Sequence, residues 1–225
     1  MLTYFEKYGL KADGRAIERF RLFADYLMGE NLKYNLTAIR DLDGIVVRHF
    51  IDSAVILNHV DFPAGSSIID IGAGAGFPSV PLAILRGDLR ITCVDSSAKK
   101  INFIKNTADL LGLENISLHC GRAEDIHGAA HDFAVSRAVA RLNILCELAA
   151  PVLRLDGVFC AYKSKCADAE IRECGNALEI LGLELADTIK FALEGEERAL
   201  VIIKKVRETP SQYPRSFSQI SKRPL

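Results

Sequence analysis

The stretch from Ser67 to Leu85 limits the fold most tightly. A short apolar run, Ser67–Ile71, passes directly into Gly72-Ala73-Gly74-Ala75-Gly76, and an apolar helical pattern follows from about Pro78 to Leu85. A strand that turns through alternating glycines into a helix opens a βα unit, in which the backbone can approach a ligand closely. The pattern then repeats. Strand-like runs at Arg90–Val94, Ile116–Cys120, Asp132–Val135 and Val158–Tyr162 alternate with helical runs at Ala98–Leu111, Arg141–Leu153 and Ala167–Leu181. Two further strand-like runs lie near Leu185–Ile189 and Leu200–Val206. Alternation of this kind predicts an α/β fold, a doubly wound, mostly parallel seven-stranded sheet with a hairpin at one edge.

Upstream the pattern is helical. Arg15–Met28 places Ile17, Phe20, Leu22, Phe23, Ala24 and Leu27 at roughly helical spacing, with Gly29 expected to stop it, and Asp41–Leu57 reads as a second helical stretch. Asn31–Arg40 reads as a mixed polar segment. The expected organisation is a helical extension over 1–64, a sheet domain over 65–206 and a polar, basic tail over 207–225 holding three prolines. The 225 residues are enough to bury a core without staples. The six cysteines form no C-x-x-C or C-x-C pair, which speaks against a zinc site or a redox dithiol, so no metal is expected. Charges interrupt residues 1–20 and no long apolar stretch occurs, so neither a signal peptide nor a membrane span is expected, and a cytoplasmic location is.

The glycine loop narrows the ligand. A dinucleotide fingerprint needs G-x-G-x-x-G, but Phe77 and Ser79 stand where the last glycine would be. Pro78 and Pro81 remove N–H donors from the helix start, where a pyrophosphate would need them. A phosphate-free nucleoside such as S-adenosylmethionine suits the loop better. Gly72 and Gly74 are then cofactor-contact candidates. Asp95, at the end of the second strand, is placed to accept from both ribose hydroxyls, or else to cap the helix that follows Ser96. Ala123 and Glu124 follow the third strand, where an adenine would rest; a plain surface turn is an equal reading on spacing alone. Arg137 follows the fourth strand, and Lys163 the fifth, at the edge where a methyl acceptor would enter.

These motifs together resemble the glucose-inhibited division protein B family, the small-subunit rRNA methyltransferases of the G type. Asp70-Ile71-Gly72-Ala73-Gly74-Ala75-Gly76-Phe77-Pro78 with Pro81-Leu82-Ala83-Ile84 is similar to its glycine motif. Asn35-Leu36-Thr37, Arg48-His49 and Asp52-Ser53 look like its N-terminal signature. Asp95-Ser96 with Lys99, Arg122-Ala123-Glu124, Ser136-Arg137-Ala138, Tyr213-Pro214-Arg215, Lys222 and Pro224-Leu225 match its later motifs. Ser79, Ser164 and Ser218 depart from expected glycines. The resemblance implies a class I S-adenosylmethionine-dependent, Rossmann-like fold with an N-terminal helical extension. It implies methyl transfer to N7 of a guanosine in the decoding-region loop of 16S rRNA. It carries cofactor contacts onto Gly72, Phe77, Ala123, Glu124 and Arg137.

Guanine N7 bears a lone pair and no proton, so the transfer needs alignment more than a general base. A cation near O6 would help, and Arg137, Arg122 and Arg48 are the candidates, the first two as catalytic residues. The formal charge of −1 excludes a uniformly basic nucleic-acid coat. Residues 201–225, however, hold six basic residues and one acidic, a net +5, leaving −6 on the rest. Arg48, His49, Lys163, Arg215, Lys222 and Arg223 are therefore candidate contacts to 16S rRNA in the small ribosomal subunit, and the enzyme is expected to act as a monomer. Loss of residues 207–225 is expected to weaken RNA methylation much more than cofactor binding. The rival readings are a methyltransferase for another RNA, a small molecule or a protein; an RNA-binding protein without catalysis; and an NAD(P)-dependent oxidoreductase, which the broken fingerprint disfavours.

Overall fold

The computed structural model describes residues 1–126, 128 and 130–225. In chain order the elements are α1 (Leu2–Lys7), α2 (Gly14–Tyr34), α3 (Leu42–Ile45), a π-helical turn (Val46–Ile51), α4 (Asp52–Ala54), a 3-10 turn (Val55–Asn58), β1 (Ser67–Ile71) and α5 (Ser79–Leu85). Then come β2 (Arg90–Asp95), α6 (Ala98–Leu111), β3 (Ile116–Cys120), a 3-10 turn (Ala123–Asp125), β4 (His131–Arg137), α7 (Leu142–Ala149) and β5 (Leu153–Ser164). The chain ends with α8 (Ala167–Glu173), α9 (Gly175–Leu181), β6 (Leu183–Leu193), β7 (Glu196–Lys205) and α10 (Phe217–Lys222). The sheet has seven strands in the order β3-β2-β1-β4-β5-β7-β6. This is the expected doubly wound, mostly parallel α/β sheet, with the antiparallel hairpin at one edge. No helix among the described residues is long and apolar enough to cross a membrane.

The chain forms two compact units, residues 1–66 with 73–120, and residues 67–72 with 121–225. In the first, β2 and β3 pair in parallel with Asp95 opposite Cys120. The core is aromatic: Phe5 lies 4.8 Å from Phe20, Phe20 lies 4.9 Å from Phe50, and Phe23 stacks on Phe50 at 5.2 Å. Asp13 caps α2 by accepting from the Ala16 N–H at 2.7 Å. Gly29 does not end α2, contrary to expectation. It is exposed with open space around it, so it costs the helix only its propensity, about 1 kcal/mol. The helix stops six residues later, at Asn35, which takes a left-handed φ of 50° as the C-cap. The expected helix over 41–57 forms in pieces, with the π-helical turn in its middle.

In the second unit β1, β4 and β5 run parallel, with Asp70 opposite Val135 and Val135 opposite Cys160. Asp132 ties their starts together: Oδ2 accepts from the Ser67 N–H at 2.7 Å, and Arg154 Nε lies 2.8 Å from Oδ1. β7 pairs antiparallel with β5 and with β6. Glu194 and Gly195, both at positive φ, make a two-residue hairpin turn whose twist suits the strands it joins. Both strands reach well beyond the short apolar runs that flagged them. The single helix expected over 167–181 divides at Cys174 into α8 and α9. Every residue of α7 is buried, including Asn143 and Glu147. Lys205 is buried too. It donates to the carbonyls of Ala150 and Leu153 at 2.9 and 2.7 Å, just past the end of α7, where a cation meets the helix dipole. Burial holds its ammonium below the usual lysine range.

The tail is folded, not merely polar. α10 opens on a capping box between Ser216 and Gln219, and Ile220 is fully buried.

Candidate functional site

The glycine loop in the first unit is held by its own backbone. The Ala73 N–H donates to Val94 at 2.9 Å, and the N–H groups of Gly76 and Phe77 both donate to the Ala73 carbonyl, at 2.8 and 3.0 Å. Gly74 donates to Asp95 Oδ2 at 3.1 Å. Pro78 has no N–H. The N–H groups of Ala73, Gly74, Gly76 and Phe77 are therefore already engaged, which favours a ligand without phosphates. Gly76 sits at φ 85°, and a Cβ there would come within 2.5 Å of Val80 Cγ2.

Asp95 is 8% exposed, and the N-cap of α6 is Ser97, so Asp95 does not cap that helix. Its Oδ1 accepts from the Ser97 N–H at 2.9 Å, next to the start of α6, while Oδ2 takes Gly74 and, at 3.3 Å, Lys100 Nζ. Oδ1 keeps a lone pair for a ribose hydroxyl, so the donor set fits a nucleoside. Lys100, one turn into α6, escaped the sequence reading although its spacing from Asp95 is the signal for it.

Phe77 is buried, so it offers a ligand its backbone and not its ring. The ring is held from upstream. His49 stacks on it at 4.5 Å with the planes 14° apart, and Phe23 stacks at 5.4 Å. His49 in turn has Nε2 2.6 Å from Thr37 Oγ1. Asn31 closes that loop by accepting from the Thr37 N–H and donating to the Thr37 carbonyl, both at 2.9 Å. The Asn35-Leu36-Thr37 and Arg48-His49 motifs thus converge beneath the glycine loop. Arg48 is exposed on the π-helical turn.

In the second unit the strand order reverses between β1 and β4, the switch point at which such sheets bind ligands. Gly72 and Arg137 follow or end these strands. Ser136 Oγ donates to the Ile71 carbonyl at 2.8 Å and sets the approach to Gly72, a link with no sequence signal. Gly72 has φ 75°, and a Cβ there would lie 2.5 Å from Val139 Cγ2, so the residue is confined to glycine. Arg137 is half-buried at the end of β4, opposite Tyr162. Ala123 and Glu124 form the short turn after β3; Glu124 is 10% exposed, while Arg122, 59% exposed, lies 3.7 Å from its Oε1.

The candidate RNA residues separate into two groups. Lys222 and Arg223 are exposed at the end of α10. Lys163 is turned inward, donating to the Ala140 carbonyl and to Glu170 Oε2, each at 2.7 Å. Arg215 is clamped on buried Glu147, with Nε 2.8 Å from Oε1 and Nη2 2.6 Å from Oε2. Of the other cations behind the +5 charge, Lys205 is buried, Lys204 pairs with Asp156 at 2.8 Å, and Arg207 donates to the Glu179 carbonyl at 2.8 Å. Glu147 was missed by sequence reasoning; a lone carboxylate in the apolar run Leu142–Ala149 was its signal.

Solved structures share this architecture. A SAM-dependent methyltransferase from Aquifex aeolicus superimposes with a TM-score of 0.57 at 16% identity, over 72% of this chain and 93% of that one. M. jannaschii TYW2 in complex with AdoMet gives 0.55 at 16% identity, over 64% and 70%. Sequence likeness is much closer. The family described as "GidB: rRNA small subunit methyltransferase G" matches residues 16–201. The relative named "Ribosomal RNA small subunit methyltransferase G" from Exiguobacterium sibiricum is 38% identical over 231 residues, covering 100% of this chain and 97% of that protein. Its namesake from Geobacillus kaustophilus is 39% identical over 231 residues, covering 99% and 97%. With the family pattern running from α2 into β7 and relatives alike along the whole chain, this protein belongs to the GidB family of small-subunit rRNA methyltransferases G.

Proposed function

We propose that the protein transfers a methyl group from S-adenosylmethionine to N7 of a guanosine in the decoding-region loop of 16S rRNA. Family membership along the full length is the observation that carries this reading. The loop's internally satisfied N–H groups support the cofactor and disfavour NAD(P). When bound, the cofactor supplies an electrophilic sulfonium methyl. On this reading Asp95 accepts from the ribose, Gly72, Gly74 and the Phe77 backbone give close approach, and Ala123 and Glu124 meet the adenine. Arg137 holds the cofactor carboxylate or the guanine O6, with Arg122 as the second cation. No residue has to remove a proton, because N7 carries none. The chain's contribution is then alignment and a cation at the O6 edge.

The functional division is a helical segment 1–64, a methyltransferase segment 65–206 and a tail 207–225. Arg48, Lys222 and Arg223 face the rRNA of the small subunit, whereas His49, Lys163 and Arg215 serve internal partners. The enzyme works as a cytoplasmic monomer. Mapping 7-methylguanosine in 16S rRNA from cells with and without the protein tests the reading. The modification should vanish from one decoding-region position without the protein. Restoration by the wild type but not by Arg137→Ala, with the variant's melting temperature unchanged, is expected. A 16S rRNA identical in both strains, with a methyl missing from another RNA, would reassign the substrate.

A further inference from the structure

We propose that the C-terminal segment sets the cofactor loop, with Arg215 and the backbone of Phe217 as positioning elements acting through Glu124. The inference rests on the reading that Glu124 meets the cofactor. Glu147 is fully buried within α7, and a carboxylate there is tolerated only when its charge and lone pairs are met. Arg215 meets them with three donors: its own N–H at 2.9 Å, Nε at 2.8 Å and Nη2 at 2.6 Å. A bidentate fork of this kind fixes direction as well as distance. The backbone at Arg215 is thereby pinned to α7.

Two residues on, α10 begins. Its capping box occupies Ser216 and Gln219, while the Phe217 N–H is one of the donors that a helix start leaves without an internal acceptor. That N–H donates to Glu124 Oε1 at 3.3 Å. The Arg122 guanidinium lies 3.7 Å from the same oxygen and 5.9 Å above the Phe217 ring. Buried Ile220 and a bond from Asn143 Nδ2 to the Leu225 carbonyl at 3.2 Å hold the far side. Both groups that steady the Glu124 carboxylate reach Oε1. Among the described residues Oε2 accepts no hydrogen bond, which leaves it for a donor such as the adenine amino group. The orientation of that oxygen is thus dictated partly by the tail. Loss of the tail should therefore weaken cofactor binding directly, an effect that its charge alone does not suggest.

The test isolates one N–H. Proline is accommodated at the first position of a helix, and Ser216, at φ −58° and ψ 145°, already has the backbone that precedes proline. Phe217→Pro removes the donor and the ring, whereas Phe217→Ala removes the ring alone. S-adenosylhomocysteine is titrated calorimetrically into the full chain, with melting curves alongside. Phe217→Pro should bind about tenfold more weakly than Phe217→Ala, which should stay close to the wild type. Arg215→Gln should weaken binding in the same direction, and Arg215→Lys should restore part of it. Equal affinity of the two Phe217 variants overturns the proposal. A lowered melting temperature with unchanged affinity in Arg215→Gln would assign Arg215 to stability alone and overturn its part. A wild-type chain that binds no S-adenosylhomocysteine would overturn the cofactor reading itself, and this inference with it.

Discussion

Asp95 draws together groups from both sides of β2. It receives the Gly74 N–H from the loop before the strand and the Ser97 N–H from the turn after it. On the proposed reading, such double use lets a single carboxylate both shape the loop and face a ribose. Asp95→Ala is expected to lower affinity for S-adenosylhomocysteine by about tenfold or more, since a hydrogen bond to a charged group contributes about 1.5–3 kcal/mol. It should also lower the melting temperature, because two backbone donors lose their acceptor. Titration and melting curves check both, and unchanged affinity would remove Asp95 from the cofactor set. Residue type and strand position singled out Asp95 in the sequence, and the structure adds its bonds to Gly74 and Ser97. The same reasoning could not see that Arg215 and Lys163 point inward. A cation's availability depends on what lies opposite it, and Glu147 and Glu170 are distant in the chain or across a turn.

At the scale of elements, periodicity located every strand of the sheet but misjudged ends and interruptions. α2 runs on past Gly29 because an exposed glycine weakens a helix without terminating it, and a left-handed Asn35 provides the stop. Gly29→Ala should therefore stabilise the protein by about 1 kcal/mol, raising the melting temperature by about 2–4 °C, with no effect on cofactor affinity. A destabilised variant would show that Gly29 is needed for its backbone and not merely tolerated. α10 was illegible for a different reason. With Ile220 its only buried residue, it shows no periodicity; its place follows from the Arg215 clamp and a capping box. The π-helical turn carrying Arg48 and His49 likewise has no period of its own. Residues that act through one long-range bond leave no repeating trace.

Over the whole molecule the cysteines divide sharply. Cys120 and Cys166 are exposed, whereas Cys93, Cys146, Cys160 and Cys174 are buried. Iodoacetamide at neutral pH should label the two exposed thiols in the native protein and all six after denaturation, as counted by mass spectrometry. Burial pushes the Cys160 thiol up to about 12 from an ordinary value of 9.0. Below pH 9 both folded and unfolded chains keep that proton. Between pH 9 and 12 the unfolded chain releases it and the folded chain does not, so stability falls by about 1.4 kcal/mol per pH unit from this group. Cys160→Ala should flatten that part of the alkaline profile in urea melts. A further consequence follows from the rings behind Phe77. His49 and Phe23 stack on it from helical segments that precede the strand by many residues. The glycine loop is accordingly not a portable cassette. Grafted onto another sheet as residues 72–78, it would arrive without the aromatic backing that determines its shape. In descendants of this chain, changes of size at position 77 should be answered at 23 and 49 before they are answered within the loop.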